Sequence, residues 1–146
     1  MSSPNTIGKL PHTEEDLDML ARTIFGEARG ETFSGKLAVG WVVRNRVESG
    51  REQRFGSGII GVCRKPWQFS AWNPGDPNER KCQEVTVADV SFVDCLAAAR
   101  AALEGNLPDP TRGADHYHVA GIEPYWAENR DPVAVIGRHV FYKLRD

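Results

Sequence analysis

Cysteine is scarce in this 146-residue chain, and the three present, Cys63, Cys82 and Cys95, form no CxxC pair. An odd count without metal-ligand spacing argues against a disulfide scaffold and against a zinc ribbon, and leaves room for at most one bridge. Long hydrophobic runs are missing too. The apolar stretch from Leu37 to Val43 is broken by Gly40 and ends at Arg44, far short of the roughly 20 residues a membrane span requires. Met1-Ser-Ser-Pro-Asn-Thr-Ile7 holds neither a basic n-region nor an apolar h-region, so no signal peptide is expected. A complete GxxxxGK[ST] phosphate loop is absent, as are HExxH and the Gly-x-Ser-x-Gly elbow. Nor is there an excess of positive charge: 18 Lys and Arg stand against 20 Asp and Glu, where a nucleic-acid binder is usually basic. Partners of nucleic acid or membrane are therefore not expected.

What the chain does have is core material. Hydrophobic residues make up 40% of it, with four Trp, six Phe and three Tyr, which suits one compact domain and excludes intrinsic disorder. Charge is unevenly spread. Residues 13–31 carry Glu14, Glu15, Asp16, Asp18, Glu27 and Glu31 against Arg22 and Arg29, whereas residues 44–66 carry Arg44, Arg46, Arg51, Arg54, Arg64 and Lys65 against Glu48 and Glu52. The basic segment reads either as a solvated helix face or as a cleft wall that attracts an anionic polymer.

Residues 1–12 read as an N-terminal extension and 13–146 as the folded domain. Thr13 followed by Glu14, Glu15 and Asp16 is a helix start: a hydroxyl cap, acidic residues in the first turn, and a carboxylate at the capping-box position. Leu17, Leu20, Ala21, Ile24 and Ala28 then recur at helical spacing, which sets Glu27 on or beside the packed face. Gly30 offers a stop, and Ser34 with Gly35 restarts a second, nearly all-apolar helix that runs to Gly50. Residues 51–62 read as a loop with a short helical turn, and residues 63–83, rich in Pro, Gly and Asn, as a long loop that Cys63 and Cys82 flank and are able to staple. A helix over 87–104, with Cys95 as a small buried hydrophobe, precedes an extended tail: His116–Val119, Val133–Ile136, a Gly137-Arg138 turn, and His139–Leu144. The fold class is mainly α, an α+β domain with a small C-terminal β-hairpin.

Three constellations compete for chemistry. Glu27 and Glu31 are a carboxylate pair, and a Glu desolvated on a helix face keeps a proton near neutrality, as a general acid for glycosidic cleavage must. The competing reading makes both ordinary helix-end residues. Trp67-Gln-Phe-Ser-Ala-Trp72 interleaves aromatic rings with hydrogen-bonding side chains, as a sugar cleft does, so Gln68, Phe69, Ser70 and Trp72 are candidate substrate contacts. The competing reading pins the loop to the core by its own rings. Third, His116 and His118 point the same way along an extended segment and, with Asp115 and His139, offer a zinc set without any standard ligand spacing.

Four stretches together resemble the SleB-type cell-wall hydrolases, which include spore cortex-lytic enzymes and bacteriophage lysins. They are Ala21-Arg-Thr-Ile-Phe-Gly-Glu-Ala-Arg-Gly-Glu31, Lys36-Leu-Ala-Val-Gly-Trp-Val-Val-Arg-Asn-Arg-Val47, Pro66-Trp-Gln-Phe-Ser-Ala-Trp72, and Gly113-Ala-Asp-His-Tyr117 with Ile136-Gly-Arg-His-Val-Phe-Tyr142. The resemblance implies a lysozyme-like fold and cleavage of the β-1,4 bond between N-acetylmuramic acid and N-acetylglucosamine. It places the catalytic acid on Glu27, a possible second carboxylate on Glu31, and His116 and Tyr117 among the substrate contacts, with no metal and no cofactor. A monomer acting on peptidoglycan glycan strands is expected, by a lytic transglycosylase route that leaves 1,6-anhydromuramyl ends. The hydrolytic route remains open, with Glu31, Asp76 and Asp115 as candidates for the second carboxylate. The absence of an exported binding domain and the added segment Asn73 to Lys81 point to a phage-type endolysin, made in the cytoplasm and reaching the wall through another factor such as a holin. Two other classes stay open: a zinc amidase or endopeptidase built on His116, His118 and His139, and a non-catalytic glycan-binding module using Trp67, Trp72 and Trp126 as platforms.

Overall fold

The computed structural model describes residues 8–144. Helix α1 (Glu14–Ala28) starts as its sequence dictates: the Thr13 hydroxyl accepts from Asp16 N–H while the Asp16 carboxylate accepts from Thr13 N–H. The segment before it is tied into the domain, because Leu10 packs on the core and its N–H donates to the Leu103 carbonyl at 2.7 Å. Helix α2 (Phe33–Glu48) begins just ahead of Ser34 and Gly35; its cap is Thr32, whose hydroxyl accepts from Gly35 N–H. The segment 51–62 holds α3 (Glu52–Phe55) and the start of α4 (Gly58–Arg64).

Residues 63–83 are less irregular than their composition suggests. A single turn over Ser70–Trp72 is followed by α5 (Pro77–Glu84), whose Asp76 cap and Pro77 at the first position are a helix-start signature hidden among the prolines and glycines. Arg22 fastens the far end of α5: its Nη1 donates to the carbonyls of Cys82, Gln83 and Val85 at 2.8–3.0 Å. Helix α6 (Val90–Glu104), capped by Asp89 and closed by Gly105 in the left-handed region, packs against both α1 and α2. No disulfide staples the 63–83 segment. Cys63, Cys82 and Cys95 are free, buried thiols, pushed by burial to about 12, 11 and 12 respectively, so each stays protonated and packs as a small hydrophobe.

The C-terminal hairpin is one part of a larger unit. Three strands, β1 (His116–Val119), β2 (Ala134–Ile136) and β3 (His139–Tyr142), form an antiparallel sheet of order β1-β3-β2. Strands β2 and β3 pair through the Gly137-Arg138 turn, and β1 adds to the other side of β3 with Tyr117 opposite Phe141. Asp115 locks the sheet to its neighbours: it is 3% exposed, and Oδ1 accepts from Leu144 N–H and from His116 Nδ1, both at 2.8 Å.

The basic stretch 44–66 is divided: Arg44 and Arg46 are buried, Arg51 and Lys65 half-buried, and Arg54 and Arg64 exposed. Arg44 is buried on Trp41 and donates to Ala102 O; Arg46 is buried between Phe55 and Phe69 and donates to Asp115 O; Arg51 donates to Leu144 O. Arg54 lies over Phe55, Arg64 over Trp72, and Lys65 donates to Gln53 O. These cations close carbonyls and cover rings, which is how long basic side chains become structural. No described helix is long and apolar enough to cross a membrane.

Candidate functional site

Glu27 occupies the last turn of α1, where the helix must come unusually close to the turn that follows α4. Gly26 permits this. A Cβ there would stand 2.5 Å from the Ala71 Cβ and 2.7 Å from the Cys82 sulfur, distances at which something must shift. The close approach lets the Ala71 N–H donate to the Glu27 carboxylate, while the Tyr117 hydroxyl, from β1, donates to Oε1 at 2.6 Å. Burial raises the Glu27 pKa above the ordinary Glu value, assisted by the negative charge of Asp76; the Tyr117 and Ala71 bonds and the Arg46 cation pull the other way. Desolvation is the largest of these effects, so the carboxyl holds its proton further toward neutrality than a surface Glu. Tyr117 is itself shifted well upward by burial and by Glu27, and so remains a donor throughout the neutral range.

Glu27 opens onto a cleft of about 380 Å³ lined also by Arg29, Glu31, Val119, Arg138 and His139. Glu31 lies past the end of α1, and both its oxygens are taken: Oε1 accepts from Arg138 N–H and Oε2 from Arg138 Nε, each at 3.0 Å. Gly137 makes this possible, since any Cβ at its left-handed backbone would collide with Oε1 of Glu31. These bonds lower the Glu31 pKa, so the two cleft carboxyls are driven in opposite directions. His139 is 4% exposed, lies against Tyr117 with ring centroids 4.9 Å apart, and is shifted down by burial, which keeps it neutral. His139 enters the sequence reading only as a zinc candidate, and nothing there marks Arg29 or Arg138 as cleft-lining; the Gly137-Arg138 turn alone signals that this segment doubles back.

The remaining candidate residues divide. Gln68 and Ser70 are exposed, and Gln68 Oε1 accepts from Arg46 Nη1 at 3.3 Å. Phe69 and Trp72, expected as platforms for sugar, are instead core residues, 2% and 7% exposed; the Trp72 indole N–H donates to the buried Thr23 hydroxyl at 2.9 Å and the ring is roofed by Arg64. An indole whose N–H finds a buried acceptor belongs to the interior. His116 is held by Asp115 and sits between Phe55 and Trp126, away from the cleft lining. His118 Nε2 pairs with the Tyr142 hydroxyl at 3.0 Å. Among the described residues no three His, Cys, Asp or Glu side chains converge as a metal-ligand set. Of the second-carboxylate candidates, Asp115 is spent on its internal bonds, whereas Asp76 gives one oxygen, Oδ1, to capping α5.

Residues 30–142 match the model of the family described as cell wall hydrolase. The chain belongs to that family. The matched stretch begins three residues after Glu27 and takes in Glu31, the Trp67–Trp72 loop and the whole sheet. It is 30% identical over 137 residues to a spore cortex-lytic enzyme of Bacillus cereus, covering 90% of this chain and 46% of that protein. The corresponding enzyme of Halalkalibacterium halodurans is 29% identical over 132 residues, 89% of this chain and 35% of its own length. The chain thus spans a third to a half of the length of these relatives. In structure it resembles the crystallised catalytic domain of the Bacillus cereus SleB protein, at a TM-score of 0.69 and 27% identity over 97% of this chain and all of that one. The catalytic domain of the germination-specific lytic transglycosylase SleB of Bacillus anthracis superposes at a TM-score of 0.67, with 29% identity over 90% of this chain and 97% of that one.

The Tyr117 hydroxyl stabilises the charged form of Glu27, so its removal acts on the acid directly. Tyr117→Phe is expected to raise the Glu27 pKa further and to move the alkaline limb of the pH–activity profile to higher pH, at a loss of no more than about tenfold at the optimum. A limb that stays in place or moves to lower pH, measured by turbidity clearing across the neutral range, contradicts that assignment.

Proposed function

We propose that this chain cleaves the glycan strand of peptidoglycan at the β-1,4 bond between N-acetylmuramic acid and N-acetylglucosamine, with Glu27 as the single proton-transfer group and a 1,6-anhydromuramyl end as product. The observation that carries the reading is the desolvated Glu27 carboxyl, held by Tyr117 and Ala71 at the edge of a cleft in which the neighbouring carboxylate is already paired. Protonated Glu27 gives its proton to the glycosidic O4 as the C1–O4 bond breaks. The carboxylate then accepts the proton of the muramyl O6 hydroxyl, whose oxygen bonds to C1. Charge and atoms balance without water, and Glu27 ends as it began.

A hydrolytic mechanism needs a second carboxylate free to attack or to activate water. Glu31 is paired with Arg138 and Asp115 is buried in its own bonds, while Asp76 gives one oxygen, Oδ1, to capping α5; two of the three candidates are thus engaged elsewhere, which favours the one-carboxylate route. The Bacillus anthracis relative is a lytic transglycosylase, and its activity supports the same reading. The test is mass spectrometry of the muropeptides released from purified sacculi, with a parallel digest in heavy-oxygen water. Anhydro ends lacking the label are expected. Reducing muramic ends carrying it make the enzyme a muramidase and require a second carboxylate, Asp76 or a Glu31 that has left Arg138, and released stem peptides without any glycan ends overturn the glycosidic reading altogether.

A further inference from the structure

Trp67 combines two features that are unfavourable in a residue with only a structural task. Its backbone φ is +65°, in the left-handed region that glycine enters freely and a bulky side chain does not. Its side chain is 76% exposed, and among the described residues the indole meets no second ring, no cation and no hydrogen-bond partner. The turn that holds it is well formed, with Gln68 N–H donating to the Lys65 carbonyl at 3.1 Å and Pro66 just ahead, the pattern that ordinarily carries glycine at the strained position. Nothing in the packing explains why an indole stands there.

Its position explains more. Four residues on, Ala71 donates its N–H to Glu27, and four residues of fully extended chain span at most about 14 Å. Between them Gln68 and Ser70 are also exposed, with Gln68 steadied by the same Arg46 whose charge acts on Glu27. An open aromatic face flanked by an exposed amide and hydroxyl is what the flat CH face and the hydroxyls of a sugar require. Phe69 and Trp72, the other rings of this loop, are sealed in the core and leave Trp67 as the loop's available platform.

We propose that Trp67 is a stacking platform for a sugar of the glycan strand beyond the cleavage position, a binding subsite that grips the polymer and leaves the bond-breaking group untouched. The proposal rests on the glycan-strand reading above, and its test is separate from the product analysis. In the Glu27→Gln protein, which binds without digesting, co-sedimentation with purified sacculi is compared for the parent, Trp67→Gly and Trp67→Tyr, with melting temperatures taken alongside. Trp67→Gly is expected to weaken binding roughly tenfold while the melting temperature holds or rises, because glycine relaxes the turn; Trp67→Tyr is expected to keep most of the affinity. Undiminished binding by Trp67→Gly overturns the proposal, as does failure of Trp67→Tyr to retain binding. A Trp67→Gly protein that melts much lower or does not fold also overturns it, by making the indole structural. Glycosidic ends in the muropeptide digest together with undiminished Trp67→Gly binding remove the subsite alone, whereas a digest without glycan ends removes the functional reading whatever Trp67 does.

Discussion

Glu27→Gln is expected to reduce the lysis of sacculi by about three or more orders of magnitude while the protein folds normally. The amide is nearly isosteric and keeps an oxygen to accept from Tyr117, but it has no proton to give and no charge with which to take one back; general acid–base catalysis alone accounts for about 10²–10⁴-fold. The stability consequence has a definite sign. A carboxyl whose folded pKa lies above its unfolded value favours folding at pH below the unfolded pKa, and that contribution is lost as pH rises through the folded value. Above the folded pKa the Gln variant, which carries no buried charge, should therefore melt at the same temperature as the parent or higher. A folded Glu27→Gln protein that still clears sacculi at about a tenth of the parental rate would remove Glu27 from the chemistry.

Trp72→Ala has the largest expected effect on stability, a loss of about 3–5 kcal/mol, because it empties a core position and strips the Thr23 hydroxyl of its indole donor. Denaturant titration measures it. Where the variant remains folded in the cold, its affinity for sacculi should be close to that of the parent, since the ring offers no free face to a sugar. A variant of unchanged stability and weakened binding would restore Trp72 to the cleft.

Helix α1 is legible in the sequence because its signals are local: Thr13 and Asp16 are three residues apart, and the spacing of Leu17, Leu20 and Ile24 sets Glu27 beside the packed face before any tertiary information enters. The Gly137-Arg138 turn is readable for the same reason. Trp72 is not, because a loop that mixes aromatic and polar residues looks alike whether its rings face sugar or core. What decides is the Thr23 hydroxyl, 49 residues upstream, and that pairing exists only in the folded chain. The arginines of residues 44–66 mislead in the same way: sequence reports their charge, while the carbonyls and rings that absorb it come from α3, α6 and the chain end. That β1 joins β3, and so carries Tyr117 to Glu27, is equally beyond local reading.

The three groups of the proposed acid site, Glu27, the Ala71 amide and the Tyr117 hydroxyl, come from well-separated parts of the chain. Contacts of such sequence separation carry a large loop-closure cost and tend to form late in folding. Enzymatic activity during refolding should accordingly lag behind the helical circular dichroism signal and rise together with burial of the C-terminal sheet. A chain released from synthesis before β1 would hold Glu27 on its helix and yet lack the phenol that steadies it, so that the proposed activity is withheld until the last strands have docked.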